Sequence, residues 1–187
     1  MDEEIKFYLD EAEESMGKAL QHTNLELSRI RAGKASPAML DSLRVDYYGT
    51  PTPLAQVANV SAPDARSLLI KPWEKNMVAE IARAIKNSDL GLNPVSDADG
   101  VRLNIPPMTE ERRRDLVKQV KNESESGKVR IRSIRKDVND SLRKLLKDGA
   151  AEDAIKDAEA KVQKATDSYI SQIDGLMSKK ETEIMTI

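Results

Sequence analysis

Lys128, Arg132, Arg135 and Lys136 lie in the run KVRIRSIRK, at successive steps of four, three and one residues. Cations so spaced share one face of an α-helix, and the chemistry open to them is neutralisation of a polyanion such as an RNA phosphate chain. At about 100° per residue, an arc roughly 100° wide also takes in Arg114, Lys118, Lys121 and Arg143. Glu125 is the one carboxylate inside it, whereas Asp115, Glu123, Asp137 and Asp140 fall outside. Arg130 points about 160° from Lys128 and falls on the packing side. Residues 112–147 carry 13 Lys and Arg against 5 Asp and Glu, a local +8 in a chain whose formal net charge is −2. That asymmetry suits a polyanionic partner. A second reading stays open, in which the cations flank a coiled-coil seam and pair with acidic neighbouring helices.

Other chemistries find little support. With no cysteine and His22 as the only histidine, thiolate catalysis, disulfides and cysteine metal sites are excluded. His22 sits beside the seam of an acidic helix and is expected at the surface or in partly buried packing. GKAS at Gly33–Ser36 has the outline of a phosphate loop but lacks its upstream glycine and the hydroxyl directly after lysine. DADG at Asp97–Gly100 has the start of a calcium loop, yet the closing glutamate position falls on Pro106, so a polar hairpin turn is expected. Glu13, Glu14, Glu110 and Glu111 occupy helix-start or solvated positions, and no base is set against a nucleophile. No catalytic residue, metal or cofactor is expected. Aromatic residues make up 3% of the chain, too few for a base-stacking platform, so nucleic-acid contacts should run through phosphates and grooves. Trp73 is expected to pack between sheet and helix, and Tyr47 and Tyr48 to take opposite strand faces, one in the core and one outside.

Positioning the cations requires a long helix, and hydrophobic seams supply three. Ile5, Leu9, Ala12, Met16, Ala19, Thr23, Leu27 and Ile30 form the first. Val117, Val120, Ser124, Gly127, Ile131, Ile134, Val138, Leu142 and Leu145 form the second, on a helix predicted from about Thr109 to Lys147. After Gly149 a third follows through Ile155, Ala158, Val162, Ala165, Tyr169, Ile173 and Leu176. Three such helices predict one antiparallel bundle. Between the first two the period changes. Leu43, Val45 and Tyr47 alternate as a strand that GTPTP at Gly49–Pro53 is expected to break. Val57–Ser61 and Ser67–Lys71 predict further strands, Met77, Val78, Ile81 and Ile85 a short helix, and SDADG a hairpin turn between Pro94 and Ile105. The fold class is therefore α+β: an elongated three-helix bundle of residues 1–31 and 106–187 with a small β/α/β domain, 32–105, inserted. Two short connections are expected to act as a hinge at Arg31, Ala32, Gly33, Ser36, Ile105, Pro106 and Pro107. No apolar run is long enough to span a membrane, and the acidic opening MDEEIKFYLDEAEESM is unlike a secretory or transit peptide, so a cytoplasmic protein is expected.

Several colinear blocks covering nearly the whole chain resemble bacterial ribosome recycling factor. They are SRIRAGKASPAMLDSLRVDYYGTPTPLAQVANV from Ser28, SDLGLNP from Ser88, LNIPPMTEERRRDLVK from Leu103 and VRIRSIRKDVNDSLRKLLKD from Val129. The resemblance implies an L-shaped, two-domain, monomeric translation factor without enzymatic activity. Such a factor binds large-subunit rRNA at the intersubunit face of the post-termination ribosome and, with elongation factor G and GTP, splits the subunits. It also implies site residues. Arg132 and Arg135 match the family's basic motif, and Arg31 matches the arginine before GKASP. Lys34 and Lys128 stand where the family carries arginine, keeping the charge but losing bidentate phosphate geometry. Lys121 and Lys136 complete the expected RNA face. Two other classes remain: a coiled-coil scaffold or adaptor whose basic helix is paired within the molecule, and a small regulatory enzyme acting through the insertion. An exposed basic edge favours the first class, a ring of interhelix ion pairs the second, and a pocket with convergent titratable groups the third.

Overall fold

The computed structural model describes residues 1–186; Ile187, inside the expected bundle range, lies outside the described residues. In chain order, α1 (Asp2–Arg29) leads to a hairpin of β1 (Arg44–Tyr47) and β2 (Thr50–Pro53) and a single helical turn α2 (Leu54–Val57). Strands β3 (Ala58–Asp64) and β4 (Ser67–Pro72), helix α3 (Val78–Lys86) and a hairpin of β5 (Pro94–Ser96) and β6 (Val101–Asn104) follow. Two long helices, α4 (Glu110–Lys147) and α5 (Glu152–Met185), complete the chain. It divides into two compact units, Met1–Ala32 with Glu110–Thr186, and Gly33–Thr109.

In the first unit α1, α4 and α5 each pack on the other two. Acidic first turns (Asp2, Glu3 and Glu4; Glu110 and Glu111; Glu152 and Asp153) and the basic Lys144 and Lys147 ending α4 complement the helix dipoles. Met16, Ile131, Leu142 and Ile173 are fully buried at the centre of one apolar cluster. The seams drift, so that Leu116 rather than Val117 near the start of α4, and Thr166 rather than Ala165 in the middle of α5, turns inward. Thr23, Ser124 and Thr166 are buried polar residues. The two threonine hydroxyls donate to carbonyls of their own helices, Ala19 O at 2.9 Å and Val162 O at 2.8 Å. Here α1 and α4 approach so closely that a Cβ on Gly127 would lie 2.4 Å from Thr23 Oγ1. The turn into α5 closes on Gly149 (φ +105°), with Ala150 N–H donating to Leu145 O and Gly149 N–H to Leu146 O, the bonds of a Schellman motif.

The second unit is built on a four-stranded antiparallel sheet in the order β3-β4-β6-β5. Leu68, Ile70, Val101 and Leu103 alternate inward from β4 and β6, and α3 sets Ile81 and Ile85 into the same core. The expected SDADG turn is present. Asp97 Oδ1 accepts the N–H groups of Asp99 (2.8 Å) and Gly100 (2.9 Å), which hold its carboxyl below the ordinary 3.8. Three expectations for this unit need correction. GTPTP does not end the sheet: Tyr48 (φ +49°) and Gly49 (φ +89°) form a two-residue turn with both φ positive, and β2 continues antiparallel to β1. Its prolines are tolerated because β2 is an edge strand. The two tyrosine rings meet edge to face, 4.7 Å apart, instead of taking opposite faces, although Tyr47 packs against the core and Tyr48 lies outside, as expected. Trp73 is 66% exposed; Met77, at 3%, fills the place between sheet and helix.

Candidate nucleic-acid interface

The basic residues lie on a helix whose rotation is set by its two neighbours, and α5 claims some of them. The Lys128 side chain is only 17% exposed and its ammonium sits on the Asp174 carboxylate. Arg143 Nε lies 3.4 Å from Glu159 Oε1. Arg135 Nη1 donates to Gln163 Oε1 at 3.3 Å, and Gln163 in turn donates to Asp167. Arg132 stays on its own helix, donating to Glu125 Oε1 at 3.1 Å. Its side chain is 45% exposed and that of Glu125 60%. Exposed pairs of this kind contribute only about 0–1 kcal/mol, so a phosphate can displace the carboxylate from Arg132. Lys118, Lys121 and Lys136 are exposed, with no carboxylate partner among the described residues.

Arg130 departs from its expected place. It is exposed, and so is its neighbour Val129, at 54%. A helix in a three-helix bundle packs on two neighbours and leaves an outward strip between them. A single apolar stripe drawn on a helical wheel does not show that strip, and an isolated cation beside an exposed valine is its only signal.

Arg31 is exposed in the first unit and Lys34 in the second. Ala32 is buried, while Gly33 takes φ +76°, and a Cβ there would fall 2.8 Å from Met108 Cε. Beyond this point the chain is tied into the second unit. Ala35 N–H donates to Ala65 O at 2.8 Å, Ser36 Oγ accepts from Ala38 N–H at 3.3 Å, and Ile105 N–H donates to Arg66 O at 2.7 Å. Pro106 and Pro107 are exposed and carry no N–H to anchor. Of the expected hinge residues, Ser36 and Ile105 thus have fixed partners. Among the described residues, no group of three His, Asp or Glu side chains could hold a metal ion, and no helix is long and apolar enough to cross a membrane.

A bundle of three long helices, interrupted in sequence by a small sheet-and-helix unit and carrying its cations along the middle helix, defines a distinct class of α+β protein. The family model for ribosome recycling factor matches residues 23–185. The chain belongs to the ribosome recycling factor family. It is 59% identical over 185 residues to the ribosome-recycling factor of Cytophaga hutchinsonii, covering 99% of this chain and 100% of that one. It is 47% identical over 178 residues to that of Legionella pneumophila, covering 95% and 96%. A solution structure of ribosome recycling factor is similar with TM-score 0.69 and 36% identity, covering 98% of both chains. A second similar structure, with TM-score 0.60 and 46% identity, covers 97% of this chain and 98% of that one. It presents models for the T. thermophilus ribosome recycling factor and the E. coli elongation factor G bound to the E. coli post-termination complex.

Proposed function

We propose that the protein docks on large-subunit rRNA through α4 and, with elongation factor G and the GTP which that factor hydrolyses, separates the subunits of the post-termination ribosome. The observation that carries this reading is the solvent-facing series Lys118, Lys121, Arg132 and Lys136 on α4, in a chain that is acidic overall. Such cations gain affinity by releasing counterions from RNA phosphates. The related T. thermophilus factor, placed with elongation factor G on a post-termination complex, supports the choice of partners. Arg132 and Arg135 are the principal phosphate ligands, and Arg31 and Lys34 extend the contact. Lys128 acts mainly by holding α4 against Asp174 on α5. Residues 31–34 and 106–107 serve as the flexible connections between the bundle, Met1–Ala32 with Glu110–Thr186, and the second unit, Gly33–Thr109. The protein works as a cytoplasmic monomer with no catalytic residue or cofactor of its own.

The pairs Lys128–Asp174 and Arg143–Glu159 favour, for those two cations, the scaffold reading in which the basic helix is satisfied internally. That reading leaves the unpaired lysines without a role. Co-sedimentation of Arg132→Glu with isolated large subunits tests the choice. Binding should fall at least tenfold, about 1.4 kcal/mol, with an unchanged melting temperature. For the unaltered protein the logarithm of affinity should fall linearly with the logarithm of salt, by close to one unit of slope per phosphate contact. Unchanged binding by a folded Arg132→Glu variant overturns the docking role. Failure to split purified post-termination ribosomes with elongation factor G and GTP overturns the recycling role.

A further inference from the structure

The second unit carries an aromatic and acidic cleft that RNA docking through α4 does not use. It encloses about 280 Å³ and is lined by Tyr47, Gln56, Val57, Trp73, Glu74 and Met77, together with Thr52. Tyr47 OH donates to Glu74 Oε1 at 3.0 Å, and Tyr48 OH to Glu74 Oε2 at 3.1 Å. Asn76 Nδ2 donates to Tyr48 OH at 3.1 Å, which fixes the direction of that hydroxyl. The carboxylate is therefore oriented by neutral donors at both oxygens, and each oxygen keeps acceptor capacity. No Lys or Arg lines the cleft, and Glu74 has no ion pair among the described residues. Trp73 and Tyr48 are 66% and 70% exposed, an unusual state for large aromatic side chains beside a hydrophobic core.

We propose that this cleft seats an arginine side chain presented by a partner protein, its guanidinium stacked on Trp73 and bonded to Glu74. The electrostatics select a cation. Indole and phenol rings offer negative faces, the carboxylate adds a formal charge already held in position, and no cation of this chain competes for either. Arginine fits better than lysine because its planar fork can stack and donate two parallel bonds to one carboxylate. A nucleic acid is disfavoured: a base could stack on Trp73, but its phosphates would face the Glu74 carboxylate. The inference does not rest on the recycling function.

Trp73 is the only tryptophan, so its indole reports on the cleft directly. The test is an NMR titration of the full chain with N-acetyl-arginine methylamide at constant ionic strength, set against the citrulline analogue, which has the same shape without the charge. Saturable shifts centred on the Trp73 indole and Glu74 are expected, with half-saturation at roughly tens of millimolar and binding of citrulline at least fivefold weaker. Glu74→Gln, whose amide oxygen still accepts from a tyrosine, should remove the preference for arginine. Trp73→Leu, at an exposed position, should weaken binding several-fold with the fold intact. Equal binding of citrulline overturns the proposal, as does an unchanged Glu74→Gln response. Stronger shifts with a decauridylate than with arginine assign the cleft to RNA and also overturn it.

Discussion

Replacing Gly127 with alanine sets helix propensity against bundle packing, because the two act with opposite sign. In an isolated helix alanine is favoured over glycine by about 1 kcal/mol. In the bundle the added Cβ would stand 2.4 Å from Thr23 Oγ1 and 2.9 Å from Thr23 Cγ2. Thr23 is 1% exposed and its hydroxyl donates to Ala19 O at 2.9 Å, so a rotamer change would leave a buried donor unpaired. Relief by separating α1 from α4 instead opens the packed layers on either side. Overpacking costs about 1–3 kcal/mol and a stranded hydroxyl about 1–3 kcal/mol. Either route less the propensity gain leaves an expected net loss of roughly 0–2 kcal/mol. Helical ellipticity followed through thermal and urea unfolding measures it. The decisive comparison is Thr23→Ala, which removes the two closest atoms and leaves Thr23 Cβ, at 3.2 Å, as the nearest of the three neighbours. The double variant should be less unstable than the two single losses added together, with a coupling of at least about 1 kcal/mol. A Gly127→Ala protein more stable than the parent, or losses that simply add, would refute the close approach of these helices.

Other perturbations separate local roles. Gly100→Ala would place a Cβ 2.2 Å from the Ile70 carbonyl oxygen, a backbone atom that cannot yield, so the second unit should lose more than about 2 kcal/mol and protease resistance should fall there first. Gly33→Ala must hold φ +76° and crowd Met108, costing about 1–2 kcal/mol by the same unfolding assays. Asp97 and Asp64 have folded-state pKa values below 3.8, Asp97 through the N–H groups of Asp99 and Gly100 and Asp64 chiefly through the Ser67 hydroxyl and the Arg66 N–H. Their contribution is complete above that value and is lost as pH falls through the lowered values; Asp97→Asn should flatten the acid limb of a stability–pH curve, and an unchanged limb refutes the assignment. Asp174→Asn breaks the tie that Lys128 makes between α4 and α5, so large-subunit binding should weaken, whereas tighter binding with a salt slope steeper by about one unit would make Lys128 a phosphate ligand instead.

The three helices were legible because each seam repeats over many turns, so errors of one residue at its ends, such as Val117 for Leu116, leave the assignment unchanged. Short elements allow no such averaging. Pro51 and Pro53 read as breakers because proline lacks an N–H, yet what matters is whether the strand has a second neighbour, and β2 has none. Tyr48 hid the turn, since a bulky residue at φ +49° is rare and the usual sign is Asn or Asp before glycine. Trp73, between an apolar strand and a helix, reads as interior from that position, yet it is exposed. Met77, four residues later, occupies the interior position, and that choice depends on where β4 stops.

Which cations are paired is set in part by α5, a dependence that no reading of α4 alone can contain. Lys128 meets Asp174 and Arg143 meets Glu159, so advancing 15 residues along α4 retreats 15 along α5, and one antiparallel register accounts for both pairs. That register sets Ile170 level with Arg132 and Thr166 level with Lys136, while Asp167, one residue beyond Thr166, accepts from Gln163. Thr166 is moreover buried, with its hydroxyl spent on Val162 O. Arg132 therefore turns to Glu125, one of the weakest kinds of partner because both side chains are exposed, and Lys136 faces solvent. Height alone does not decide the pairing, for the same register sets Glu181 level with Lys121, which has no carboxylate partner among the described residues. A carboxylate in place of Ile170 would compete with RNA for Arg132 without altering a residue of α4, and would leave Lys118 and Lys121 untouched.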